Sequence, residues 1–168
     1  MKIKIEQMYH GAALTQIAED PRFTAINAFK TGDNVSRSAY RVNDDVGVYL
    51  KYATRPTPAH DEYVFQFTLE QLAELDRISE LVPRVYLALV CVKGREVCSL
   101  SHYALNSLIE CRRKAKGHDE NQYTLLVKMP FRKEFRVYVN APGRKNAILG
   151  YPILVPRNTF PELLFREQ

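Results

Sequence analysis

Apolar residues along the 168-residue chain recur with a period near 3.6 in some stretches and near 2 in others, which predicts helices and strands in mixed order. Residues 10–19 read as a first helix, with Leu14, Ile17 and Ala18 on one face and Asp20-Pro21 as its stop. Residues 38–43 and 46–53, both rich in Tyr and Val, read as a hairpin turning at Asn43-Asp44-Asp45. After a loop carrying Pro56 and Pro58, residues 62–67 read as a third strand, with Tyr63, Phe65 and Phe67 on one face and Val64 and Gln66 on the other. Thr68 and Gln71 have the spacing of a capping box and open a helix to Leu81, with Leu72, Leu75 and Ile78 as its buried stripe. Residues 85–92 are apolar almost without interruption, as a central strand covered on both faces would be.

Gly94-Arg95 then fits a two-residue hairpin turn, with Gly94 free to take positive φ, Lys93 opposite Glu96 and Cys91 opposite Cys98. Residues 101–116 read as a helix that Gly117 ends in a left-handed cap, and 123–129 with 134–140 as a last hairpin around 130–133. The tail from Ala141 holds Pro142, Pro152, Pro156 and Pro161 and is expected to run extended. Ile153, Leu154, Val155, Phe160, Leu163, Leu164 and Phe165 are too apolar for water, so the tail is expected to dock, ending in a short helix from Asn158 or Thr159.

The predicted class is α/β in the α+β sense: a mixed central sheet flanked by helices, an extra C-terminal hairpin and an extended tail. No linker or repeat divides it, so residues 1–168 form one domain: a core of about 10–92, a basic helix and hairpin over 101–140, and the tail. With 46% hydrophobic residues the chain can offset the entropy of ordering, which excludes collagenous and disordered classes. No apolar run has the length of a membrane span, and the first six residues lack the apolar stretch of a signal peptide; the expectation is a cytoplasmic protein with no membrane partner. Three cysteines fit reduced thiols in that compartment.

Charge changes the picture by where it lies. Residues 1–100 hold 12 Lys and Arg against 13 acids, whereas residues 101–168 hold 12 against 6, so the net +5 is −1 followed by +6. The excess gathers in Arg112-Arg113-Lys114-Ala115-Lys116, in Lys128, Arg132, Lys133 and Arg136, and in Arg144-Lys145. Such clusters can neutralise phosphates. Arg112, Arg113, Lys114, Lys116, Arg132, Lys133, Arg136 and Arg144 are therefore the candidate nucleic-acid contacts, with Tyr138 as a stacking partner. The plain alternative is a solvated face and a helix end whose cations complement its dipole.

Read in order, residues 10–92 give helix, strand, strand, strand, helix, strand. That order resembles the common core of the restriction-endonuclease-like fold, the PD-(D/E)xK nucleases. The resemblance implies a Glu on the first helix, an Asp on a strand of the meander, and an acid and a Lys two residues apart on the next strand. The carboxylates would hold Mg²⁺ and the Lys would assist the attacking water. Here Lys51 has Tyr49 two residues before it where the motif wants Asp or Glu, Glu19 stands only at the helix end, and Glu6 lies ahead of the helix. A rearranged site could be assembled from Asp44 or Asp45, Glu62 and Lys51, with Mg²⁺ as its cofactor. The plain alternative is that Asn43-Asp44-Asp45 is turn chemistry and Lys51 points to solvent.

Other chemistries fall away. Cys91, Cys98, His102 and Cys111 lack zinc spacing, His10 reads as a cap feature, and no phosphate-loop, dinucleotide or Gly-x-Ser-x-Gly motif occurs. The leading expectation is a nucleic-acid-associated protein of nuclease-like fold, binding DNA or RNA, without an intact catalytic motif. A second is a protein interaction or homo-oligomeric assembly module using the aromatic strand surfaces, the Pro-rich tail or an edge strand such as 38–43. A third, weaker, is an active Mg²⁺-dependent nuclease.

Overall fold

Strands that are apolar on both faces must be covered on both, and two such strands organise the chain. The computed structural model describes residues 1–167, the side chain of Thr31 excepted. Helix α1 (Ile5–Glu19) precedes a meander of β1 (Ile26–Thr31), β2 (Asn34–Val42) and β3 (Val46–Ala53). Then come β4 (Tyr63–Thr68), α2 (Leu69–Leu81), β5 (Arg84–Cys91), β6 (Glu96–Ser101) and α3 (His102–Lys116). The chain ends with β7 (Gln122–Lys128), β8 (Phe135–Tyr138), β9 (Ile153–Val155) and a 3-10 turn over Glu162–Phe165.

The fold is mixed α+β. Its first sheet runs β1-β2-β3-β5-β6, with β3 and β5 parallel and the other neighbours antiparallel. Its second runs β4-β7-β8-β9 and is antiparallel throughout. On one face of the first sheet Val46, Val48, Leu50, Ala88 and Val90 pack with Ala13 and Ile17 of α1 and with Phe160 and Leu164 of the tail. On the other face Tyr49, Leu87 and Leu89 meet Leu75 and Ile78 of α2 and the inner face of the second sheet, Phe65, Phe67, Leu125 and Val137. No helix among the described residues is long and apolar enough to cross a membrane.

Local signals hold where short-range chemistry dictates them. Thr68 and Gln71 close the expected capping box, each accepting the other's backbone N–H at 3.1 Å. The Ser101 hydroxyl accepts the Ala104 N–H at 3.1 Å, and Gly117 ends α3 at φ +84°.

Several expectations are corrected. The strand begun near Glu62 is β4, and it leaves for the second sheet; the strand that completes the meander is β1, in a stretch read as neither helix nor strand. Helix α1 starts at Ile5 and so includes Glu6. The turn after β5 spans four residues, and Cys91 pairs with Glu96 and Leu89 with Cys98. Arg95 takes the positive φ, at 53°. Gly94 instead sits beside Tyr63 and Met129: its N–H donates to the Tyr63 hydroxyl at 3.0 Å, and a Cβ there would stand 2.7 Å from Met129 Cε, the movable end of that side chain. Of residues 38–43, Ser38–Val42 lie in β2 and Asn43 in the turn after it; β2 runs between β1 and β3, pairing with β3 from Ala39 onward, and is not the edge strand of its sheet. The Pro-rich tail docks on the body through β9, Phe160 and Leu164, and its helical turn begins at Glu162.

Candidate functional site

A cleft forms where β2 departs from β3. The two strands pair only from Ala39 opposite Tyr49 to Val42 opposite Val46, whereas β5 follows β3 through Ala53, so residues 50–53 lack a neighbour on the β2 side. Ser36 explains the departure: its hydroxyl accepts the backbone N–H groups of Ser38 and Ala39 at 3.3 and 3.0 Å, a local bond that competes with the ladder. The resulting cleft of about 320 Å³ is lined by Glu6 and His10 of α1, Arg37 and Ser38 of β2, Tyr49 and Lys51 of β3, and Gln71 of α2.

Lys51 is held rather than solvated. Its Nζ donates to the Gln66 carbonyl of β4 and to Gln71 Oε1 at 3.0 Å, and lies 4.6 Å from the centre of the Phe67 ring. Burial lowers its pKa to about 8. Tyr49 is 2% exposed; burial, with Glu74 nearby, pushes its hydroxyl up to about 12 against a hydrogen bond with Ser38. His10 is buried with its ring edge-on to Tyr52, and burial lowers its pKa in spite of Glu6. It sits within α1, not at its cap.

The rearranged metal site is not assembled. Asp44 and Asp45 are exposed in the turn before β3, seven and six residues from Lys51 and so about 20 Å or more along the strand. Asp45 Oδ2 accepts from Arg84 Nη2 at 2.7 Å. Asn43, at φ +50°, accepts the Thr24 N–H at 2.8 Å, the turn chemistry of the plain alternative. Glu62 is buried and takes the Tyr138 hydroxyl as its partner. No group of three His, Cys, Asp or Glu able to hold a metal occurs among the described residues. In the cleft the donors are one carboxylate beside a serine, a tyrosine and two cations, which does not fit Mg²⁺ and its preference for carboxylate oxygens.

The basic candidates divide. Arg112 clasps Glu120 at 2.6 and 3.0 Å and donates to the Asn140 carbonyl at 2.8 Å; that guanidinium is what holds the Glu120 carboxyl below its usual range. Arg113 pairs with Glu110 at 2.9 Å and Asp119 at 2.6 Å, over the Tyr123 ring. Lys114, Lys116, Arg132, Lys133 and Arg144 are exposed and have no ion pair among the described residues. Arg136 is half-buried on β8, opposite Lys128. Tyr138 is fully buried, so it cannot stack on a base.

The chain matches no protein-family model, no curated protein and no solved structure. The site is therefore argued from its own geometry. Glu6, Arg37, Ser38 and Gln71 were not singled out as site residues by sequence reasoning, because only the tertiary packing brings α1, β2 and α2 to the middle of β3. The available signal was the Gly32-Asp33 turn between Thr31 and Asn34, which marks the β1-β2 hairpin and would have moved the meander upstream.

Proposed function

We propose that the protein is a nucleic-acid-associated protein with a nuclease-like core whose catalytic motif is not intact. Within the first sheet, α1, β1, β2, β3, α2 and β5 supply the order helix, strand, strand, strand, helix, strand without recourse to β4. The observation that carries the reading is the composition of the cleft. The resemblance calls for a Glu on the first helix, an Asp on a meander strand, and an acid and a Lys two apart on the next. The cleft holds Glu6 on α1, Ser38 on β2, and Tyr49 and Lys51 on β3. Glu and Lys are kept, and both other carboxylates are replaced by hydroxyl groups. A site so composed keeps a cation for phosphate and loses the ligands that would bind Mg²⁺ and activate water.

Nucleic-acid contact is supported further by the unpaired Lys114, Lys116, Arg132, Lys133 and Arg144. The test is a gel shift of duplex and single-stranded DNA and RNA at low salt, followed by incubation with Mg²⁺ or Mn²⁺. Retardation that fades as salt rises, with no cleavage, is the expected result. Absence of any complex would refute nucleic-acid association. Cleavage abolished by Lys51→Ala would refute the loss of catalysis.

A further inference from the structure

We infer that the cleft between β2 and β3 binds one phosphodiester group of a nucleic acid directly, without a divalent metal, with Arg37 and Lys51 as its cationic contacts. The inference rests on the nucleic-acid reading above and names what that site would hold.

Three features of the geometry support it. Lys51 is one of the residues that line the cleft, and its ammonium, with three N–H donors, uses two of them on Gln66 and Gln71. Those two bonds hold the side chain, so little rotamer freedom remains to be lost on binding. Arg37, which also lines the cleft, is exposed and has no ion pair among the described residues, so its planar fork is available to an anion. Beside it Ser38 adds a hydroxyl, and residues 50–53 present a strand edge with no neighbour on that side.

The charge of the cleft selects the ligand class. Arg37 and Lys51 are cationic, Glu6 is anionic, and burial lowers the pKa of His10, which favours its neutral form. One net positive charge remains. That matches a phosphodiester, which carries a single negative charge, better than a phosphate monoester, which carries about −1.5 to −2. Glu6 then acts against doubly charged ligands and against crowding of the site by free phosphate. Tyr49 is too buried to be a contact.

The experiment measures anisotropy of a short fluorescein-labelled oligonucleotide in EDTA across a salt series, for wild type, Arg37→Gln, Lys51→Gln and the control Lys93→Gln. Lys93 is exposed in the β5-β6 turn, away from the cleft lining, so its variant removes the same charge elsewhere. Arg37→Gln and Lys51→Gln should each weaken binding about tenfold and lower the salt slope by about 0.7 to 0.9, while Lys93→Gln stays near wild type. Lys51 also ties β3 to β4, so Lys51→Gln is checked by circular dichroism. Arg37→Gln removes no side-chain hydrogen bond or ion pair among the described residues and decides the matter if Lys51→Gln is unfolded. Wild-type binding with Arg37→Gln indistinguishable from it would overturn this inference and leave the nucleic-acid reading standing. No wild-type binding at any salt would overturn both.

Discussion

Lys51 shows how a single side chain acquires an environment that its neighbours in sequence do not announce. Its ammonium is taken from water by β4 and α2, and the desolvation lowers its pKa to about 8. In a ¹H–¹³C titration of the lysine Cε groups, one resonance should move near pH 8, and in Lys51→Arg that early transition should vanish. The linkage sign follows from the direction of the shift. Between about pH 8 and the unfolded value of 10.5 the unfolded chain binds more protons, so this residue's contribution to stability rises with pH across that window and is smallest below 8. The stability of wild type relative to Lys51→Arg, read from denaturant midpoints, should accordingly grow from pH 8 to 10. Tyr138 belongs to the same scale. It is the hydrogen-bond partner of the buried Glu62, and Tyr138→Phe should cost about 1–3 kcal/mol in urea unfolding by leaving a buried acceptor unpaired. Oligonucleotide affinity should not change, since the ring is out of reach of any base.

At the scale of elements, capping and turn chemistry worked from sequence because they act within a few residues. Thr68, Gln71 and Gly117 each do what their spacing implied, whereas Ser101, read as the first residue of its helix, caps it. Register and sheet membership did not follow, since these depend on partners far along the chain. The β5-β6 hairpin illustrates the difference: a glycine in a turn suggests positive φ, yet Arg95 takes it while Gly94 lies against Met129 and Tyr63, and the pairing moves by two residues. Gly47 is a second close approach, where a Cβ would lie 2.9 Å from Ile78 Cγ2 and 3.2 Å from Val82 Cγ2, with α2 packed on β3. Gly47→Ala should therefore cost about 1–3 kcal/mol by overpacking, seen as a lower urea midpoint with an unchanged slope. Gly11→Ala, with open space around the position, should not lower it.

At the scale of the whole molecule, the positive excess of the last 68 residues is partly spent inside the fold. Arg112, Arg113, Arg157 and Arg166 face Glu120, Glu110 and Asp119, Glu96, and Glu162 respectively. Arg157 also donates to the carbonyls of Pro130 and Lys133 at 3.3 and 3.1 Å, which fastens the tail to the β7-β8 hairpin. Lys114 and Lys116 on α3 remain outside these pairs. A separation of roles is expected: Arg112→Ala should lower thermal stability with little effect on the salt slope of oligonucleotide binding, whereas Lys114→Gln with Lys116→Gln should lower that slope by about 1–2 and leave the melting temperature near wild type. The reverse pattern would place the nucleic-acid surface elsewhere.

Local periodicity and capping determined by themselves that the chain alternates helices and strands, where α2 and α3 begin, that residues 85–92 form a covered central strand, and that the apolar tail docks. Only the tertiary structure decided that β4 leaves for a second sheet, that β1 completes the meander, and that Glu6, Arg37 and Ser38 meet Lys51 in one cleft. The physical reason is range. A cap or a buried face is fixed by contacts a few residues apart, whereas a strand's neighbour and a cleft's walls are chosen by burial and hydrogen bonding between segments tens of residues apart.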